Sequence, residues 1–92
     1  MAIVTLRSPL RELADGRSSI DVDGGTVEEV VSSLERTYPR LEGWVRDETG
    51  HIREHVNVFV GTDNIKDLDR LETRLHYGVE ITILPAVSGG AR

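Results

Sequence analysis

Val79-Glu80-Ile81-Thr82-Ile83-Leu84-Pro85-Ala86-Val87-Ser88-Gly89-Gly90 is the stretch on which the fold turns. Val79, Ile81 and Ile83 alternate with Glu80, Thr82 and Leu84, the period of a strand with one buried face. Gly78 resets the backbone before it. Pro85 closes it, because a proline has no N–H to give to a ladder. The last seven residues, Ala86 to Arg92, are small for the most part and offer nothing large and apolar to bury. The sequence therefore predicts a last strand that runs directly into a thin tail.

Working back from that strand, Val56, Val58 and Val60 alternate with His55, Asn57 and Phe59 and predict a second strand. Between the two, Gly61-Thr62-Asp63-Asn64 reads as a turn, and Ile65 as the start of a very short strand. Leu68, Leu71 and Leu75 then fall at helical spacing, which gives one or two turns of helix. At the start of the chain, Ala2, Val4 and Leu6 alternate with Ile3, Thr5 and Arg7, and Pro9 ends that strand. Leu10-Arg11-Glu12-Leu13 is a short connector, after which Ser18-Ser19-Ile20-Asp21-Val22 completes a hairpin.

The main helix comes next. Thr26 with Glu29 three residues later has the spacing of a capping box. Val27, Val30, Val31 and Leu34 form one apolar stripe, and Tyr38-Pro39 stops the helix. Leu41, Trp44 and Val45 are expected to make a helical turn that covers one end of the core, with Trp44 as filler. Asp47-Glu48-Thr49-Gly50 reads as an exposed loop. The order is that of an α+β domain, residues 1–85, with a mixed four- to five-stranded sheet on one main helix and a tail, residues 86–92. A single apolar stripe needs one sheet face to cover it, which predicts two layers with the first and last strands as parallel neighbours.

Ninety-two residues suffice for one domain with one modest core. The chain has no Cys, which excludes disulfides, thiolate metal sites and a cysteine nucleophile. Sixteen acids against eleven bases give a net charge of −5. That balance disfavours nucleic acid and suits either a basic partner face or plain solubility. The opening MAIVTLRSPL is too short an apolar run for a signal peptide, and no stretch approaches the length of a membrane span. A cytoplasmic protein without a membrane role is expected.

The strand, proline and terminal Gly-Gly resemble the C-terminus of the MoaD/ThiS family of ubiquitin-like sulfur carriers. Leu6, Leu10 and Arg11 fit that family's opening hairpin, and Val56-Asn57-Val58-Phe59-Val60 fits its third strand. Within the family, the 40–54 insertion and the Leu-Pro-Ala-Val ending are most similar to the actinobacterial carriers for cysteine biosynthesis. The resemblance implies a β-grasp fold and a protein cosubstrate, not an enzyme. It also implies a scheme. An E1-like (MoeB/ThiF-type) adenylating enzyme uses ATP on the Gly90 carboxylate, and a sulfur donor converts the acyl-adenylate to a thiocarboxylate. A sulfur-accepting synthase then takes the sulfur, with O-phosphoserine the acceptor favoured by the closer match. No cofactor is implied on the chain itself.

Elementary chemistry agrees with such a scheme. A free α-carboxylate, with a pKa of about 3.5, is anionic and a poor acyl acceptor, so it needs a leaving group. Gly89 and Gly90 carry no Cβ, and with Ser88 and Val87 they make a tail narrow enough to thread a channel. The chain departs from the family's pattern at its end, where Ala91 and Arg92 come after Gly90. With them attached, Gly90 carries an amide. The expectation is cleavage between Gly90 and Ala91, by resemblance through a zinc-dependent JAMM-type peptidase, the alternative being two residues of cloning origin.

The remaining candidates are weaker. Phe59 points to the sheet face away from the helix, near Leu84 and Pro85. There it either anchors a partner or merely covers sheet surface. His51 and His55 are four apart, yet Gly50 and the following strand argue against a helix, and no third metal ligand is evident. Asp63, Asp67 and Asp69 lack the glycine and distal Glu of a calcium loop. Gly24-Gly25 lacks the Lys of a phosphate-binding loop. Three rival functions stand beside the free carrier: the small subunit of molybdopterin synthase, a ubiquitin-like modifier joined to lysines through Gly90, and a non-covalent interaction domain.

Overall fold

In the computed structural model, which describes residues 1–85, five strands form one mixed sheet beneath one long helix. The strands are β1 (Ala2–Leu6), β2 (Ser19–Val22), β3 (Val56–Val60), β4 (Asp63–Asn64) and β5 (Glu80–Pro85), in the spatial order β2-β1-β5-β3-β4. A single helical turn, α1 (Leu10–Leu13), follows β1, and α2 (Val27–Thr37) is the long helix. β1 and β5 run parallel, in register from Ile3 opposite Glu80 to Leu6 opposite Ile83. β3 lies antiparallel along the other edge of β5, with Val56 opposite Pro85 and Val60 opposite Ile81. The strand that leads to the tail is thus the middle strand of the sheet.

The alternation read from the sequence is the alternation observed. Ala2, Val4 and Leu6 of β1, Val56 and Val58 of β3, and Ile81 and Ile83 of β5 are all buried. Val27, Val30, Val31 and Leu34 of α2 are buried with them. At about 25 cal/mol per Å² of apolar area, this shared layer is the main stabilising term. Leu10 of α1 and Leu41 and Val45 of the segment after α2 close its ends.

Thr26 caps α2 as its spacing predicted, its Oγ1 accepting from the Glu29 amide at 3.2 Å. The return bond of the box is displaced by one residue: the Glu29 carboxylate accepts from the Gly25 amide, at 2.7 Å. Gly24 is required just before this, because a Cβ there would stand 2.9 Å from Val30 Cγ2 and 3.0 Å from the Val30 amide nitrogen. The helix start is also tied to the segment before β5, through Val27 N–H to the Thr73 carbonyl and Leu75 N–H to the Gly25 carbonyl.

Three expectations are corrected. Trp44 is not core filler; it is 48% exposed, while Leu41 and Val45 do the covering. A side chain of that volume does not fit beside two aliphatic residues already buried in a small core. The short fourth strand is Asp63–Asn64 and not Ile65, which begins a 3-10 turn capped by the Asn64 side chain. Leu68 is exposed, so Leu68, Leu71 and Leu75 do not share a stripe. The segment instead makes two separate 3-10 turns, Ile65–Asp67 and Arg70–Glu72, with Leu71 and Leu75 packed against the core.

The loop at 47–50 is more ordered than its composition suggests. Arg46 and Ile52 form a bridge, and the Asp47 carboxylate accepts from the amides of Thr49 and His51 and from the Thr49 hydroxyl. Arg46 reaches back to α2, where it pairs with Glu35 and donates to Ser32. Both members of that pair are largely shielded, with side chains 17% and 12% exposed. The Glu35 carboxylate, bonded and close by, raises the Arg46 pKa against the opposing push of burial.

Arg46→Ala leaves Glu35 without its partner in a shielded site and is expected to cost about 1–3 kcal/mol in urea unfolding. The Asp47 carboxyl titrates below its ordinary range, chiefly because of the Thr49 hydroxyl bond, with the His51 and Thr49 amides adding to it and desolvation opposing. A depressed folded-state pKa stabilises above the ordinary carboxyl pKa, and that contribution is lost as pH falls through the lowered value. Amide-exchange protection at Thr49 and His51 is therefore expected to hold from neutral pH to about pH 5 and to weaken below about pH 4. In Asp47→Asn this step disappears.

Candidate functional site

β5 is fixed on both sides. Arg7 N–H donates to the Ile83 carbonyl at 3.2 Å, and the β3 ladder reaches Pro85 opposite Val56. At the other end Gly78, with φ +78°, turns the chain so that its N–H donates to the Met1 carbonyl at 2.7 Å. Ile3 N–H donates to the Val79 carbonyl. The last described residue is thus held by the central ladder of the sheet. Gly90, Gly89, Ser88, Val87 and Ala91, on which the tail chemistry was expected, lie outside the described residues.

The sheet face away from α2 is built by the other half of the alternation. Register places Phe59 opposite Thr82 and Leu84 opposite Asn57, so Phe59 and Leu84 are diagonal neighbours across β3 and β5. Both are half-buried. Ile3 and Thr5 of β1 continue the face, since Thr5 is opposite Thr82. Asn64 donates to Asn57 across the β3–β4 edge at 3.4 Å and gives the patch a polar border. Pro85 belongs by register to the inward set with Ile81 and Ile83. The sequence singled out Phe59, Leu84 and Pro85, and the register corrects Pro85, which alternates with Leu84 and so faces inward. The same alternation carried one strand further would also have found Ile3, Thr5 and Thr82.

Other candidates are placed apart from this face. His51 sits in the Arg46–Ile52 hairpin with its Nδ1 2.9 Å from the Thr49 hydroxyl, and His55 precedes β3, so the two share no helix. Among the described residues, no group of three or more His, Asp or Glu side chains is placed to hold a metal ion. No helix among them is long and apolar enough to cross a membrane. A cavity of about 270 Å³ lies under the insertion, floored by Ile52, Val56, Val58, Ile65 and Leu71. Its floor is aliphatic and lies on the helix side of the sheet, while His51, Lys66, Asp69, Arg70 and Glu72 also line it.

Comparison with known proteins agrees with this geometry. The model of the ThiS family matches residues 4–90. The chain belongs to the ThiS family. It is 32% identical over 89 residues to the sulfur carrier protein CysO of Mycobacterium tuberculosis, covering 95% of this chain and 96% of the relative. The crystal structure of that CysO superposes with a TM-score of 0.87 at 29% identity, covering 95% of this chain and 100% of the other. The CysO of the Amycolatopsis orientalis BexX/CysO complex gives 0.88 at 26% identity, with 95% and 97% covered. A third relative, small archaeal modifier protein 3 of Haloferax volcanii, is 35% identical over 68 residues, 74% of this chain and 73% of the relative. The fold is the ubiquitin-like β-grasp. The chain is a sulfur carrier of the ThiS and CysO type, a cosubstrate and not an enzyme.

The two sheet faces differ in what they contribute to stability. Val58→Ala empties a buried position and is expected to cost about 1–3 kcal/mol, whereas Phe59→Ala on the half-buried outer face costs clearly less despite removing more atoms. Urea melts of the two variants test this. A Phe59→Ala loss larger than that of Val58→Ala would assign Phe59 to the core.

Proposed function

We propose that the chain works as a trimmed carrier whose reactive group is the Gly90 carboxylate. The family likeness supports this most directly, because it runs to Gly90 and stops two residues short of Arg92. In this reading a peptidase hydrolyses the Gly90–Ala91 amide and frees the carboxylate. A carboxylate oxygen then attacks the α-phosphorus of ATP in an E1-like partner, pyrophosphate leaves, and an acyl-adenylate forms. Sulfide from the donor attacks the acyl carbon and expels AMP, and loss of the sulfur's proton leaves a thiocarboxylate. The thiocarboxylate sulfur is a soft nucleophile at neutral pH and attacks an activated carbon of the acceptor, held by a synthase. The leaving group of that carbon departs, a thioester joins carrier and acceptor, and cleavage of its acyl–sulfur bond leaves the sulfur on the acceptor. The likeness to CysO supports delivery to cysteine synthesis.

The globule's part is to present the tail and to be recognised. β5 ends at the rim of the Phe59–Leu84 face, so a partner that grips this face holds the root of the tail at its channel mouth. An aromatic side chain beside an aliphatic one is the composition of an interface anchor. Docking and chemistry are then separable: the face sets affinity, and the glycines set access. A second reading, a modifier joined to lysines through the same acyl-adenylate, is favoured by the likeness to small archaeal modifier protein 3.

Intact-mass measurement of the native protein, before and after incubation with ATP, sulfide and the activating enzyme, tests the proposal. The expected result is a species lacking Ala91-Arg92 that exchanges one oxygen for one sulfur. Phe59→Glu, folded but altered on the outer face, should slow that exchange by about tenfold or more through weaker docking. Sulfur exchange on chain still ending in Arg92 would overturn the trimming step. Lysine adducts in place of the thiocarboxylate would favour the modifier reading.

A further inference from the structure

We infer that β2 is the docking edge for a second copy of the chain, pairing antiparallel about a two-fold axis at Ile20. β2 ends the sheet on one side. The Leu6 N–H to Ser18 carbonyl bond, with the register Val4–Ile20 and Ala2–Val22, fixes which residues point their backbone at β1. The alternate residues, Ser19 and Asp21, therefore direct N–H and C=O outward, away from the sheet. An outward row of this kind is a template for another strand, and natural edges are commonly blunted by lysine, proline or a bulge. β2, Ser19-Ile20-Asp21-Val22, carries none of the three, and its single charge, the exposed Asp21, stands opposite Ser19 of the second copy in this pairing. The opposite edge is the two-residue β4, too short to serve in the same way.

The side chains select the occupant and its register. With the axis at Ile20, Ser19 meets Asp21 of the second copy and Arg17 meets Asp23 of the second copy, twice by symmetry. Each Ser19–Asp21 pair exchanges two main-chain bonds, and Arg17 and Asp23, just beyond the two ends of β2, bring opposite charges together at the ends of the ladder. Arg17, Ser19, Asp21 and Asp23 are all exposed, and among the described residues neither Arg17 nor Asp23 has an ion-pair partner. Ile20, half-buried, meets its own copy on the helix side, where Leu34 and Tyr38 line the groove between β2 and α2. Moving the axis to Asp21 sets like charges directly opposite. Moving it to Ser19 puts Ile20 against Ser18. The Ile20 register is the one that satisfies both the ladder and the charges, and such self-complementarity is what an isologous contact needs.

The contact is small, so its dissociation constant is expected at about 0.1–1 mM. It leaves Phe59, Leu84 and Pro85 free, because β1 stands between β2 and β5. Sedimentation and an NMR dilution series on the full chain test the pairing, with Ser19 and Asp21 amides expected to shift and gain protection as concentration rises. Arg17→Asp and Asp23→Arg should each weaken association by about tenfold, with unchanged circular dichroism and melting, and the double exchange R17D/D23R should restore it. A chain that stays monomeric to about 1 mM, or a double exchange that does not restore association, would overturn the inference. Protection of Ser19 and Asp21 only when another protein is added would give the edge to that protein and would overturn it equally.

Discussion

The parallel pairing of β1 with β5 is the constraint on which the rest of the molecule depends. It joins strands from the two ends of the described chain, and it puts β5 in the middle of the sheet. A parallel pair cannot be closed by a tight turn and needs a crossover, which here includes α2. The crossover must return over one face, so α2 lands on Val4, Leu6, Ile81 and Ile83, and its apolar stripe matches them. The other face is then left without a helix, and the Phe59–Leu84 surface exists for that reason. Core, last described residue and outer face thus come from one register.

Much of this was legible in the sequence because it rests on periodicity. Alternating valines and isoleucines fix both strand and face, and the Val27–Leu34 stripe fixes the helix and its buried side. The glycine before β5 and the proline at its end mark where the strand begins and closes. The likeness of the ending to a carrier tail was equally plain, since a strand, a proline and two glycines lie within twelve residues of one another, Val79 to Gly90.

The features that escaped the sequence depend on competition for space. Trp44 and Leu68 are large and apolar, and single-residue hydrophobicity puts them inside, but Leu41, Val45 and Ile65 occupy the room available. The order of the 46–52 hairpin rests on an arginine reaching eleven residues back to Glu35 and on a carboxylate gathering two local amides. Neither shows a period. The outer face was only half seen, because membership there depends on which residues lie opposite one another across three strands. The geometry of the tail beyond Pro85 lies outside the described residues.

The placement of β5 also decides how the molecule bears load. A load applied at Pro85 along β5 acts parallel to the strand's own axis. Neighbouring strands on both sides resist in shear, so the ladder bonds to β1 and β3 are strained together and not one after another as in peeling an edge. An edge strand carrying the same tail would unzip from its end. Under a pull at Pro85 the globule therefore behaves as a rigid grip, whose resistance is set by its unfolding rate and not by its equilibrium stability alone.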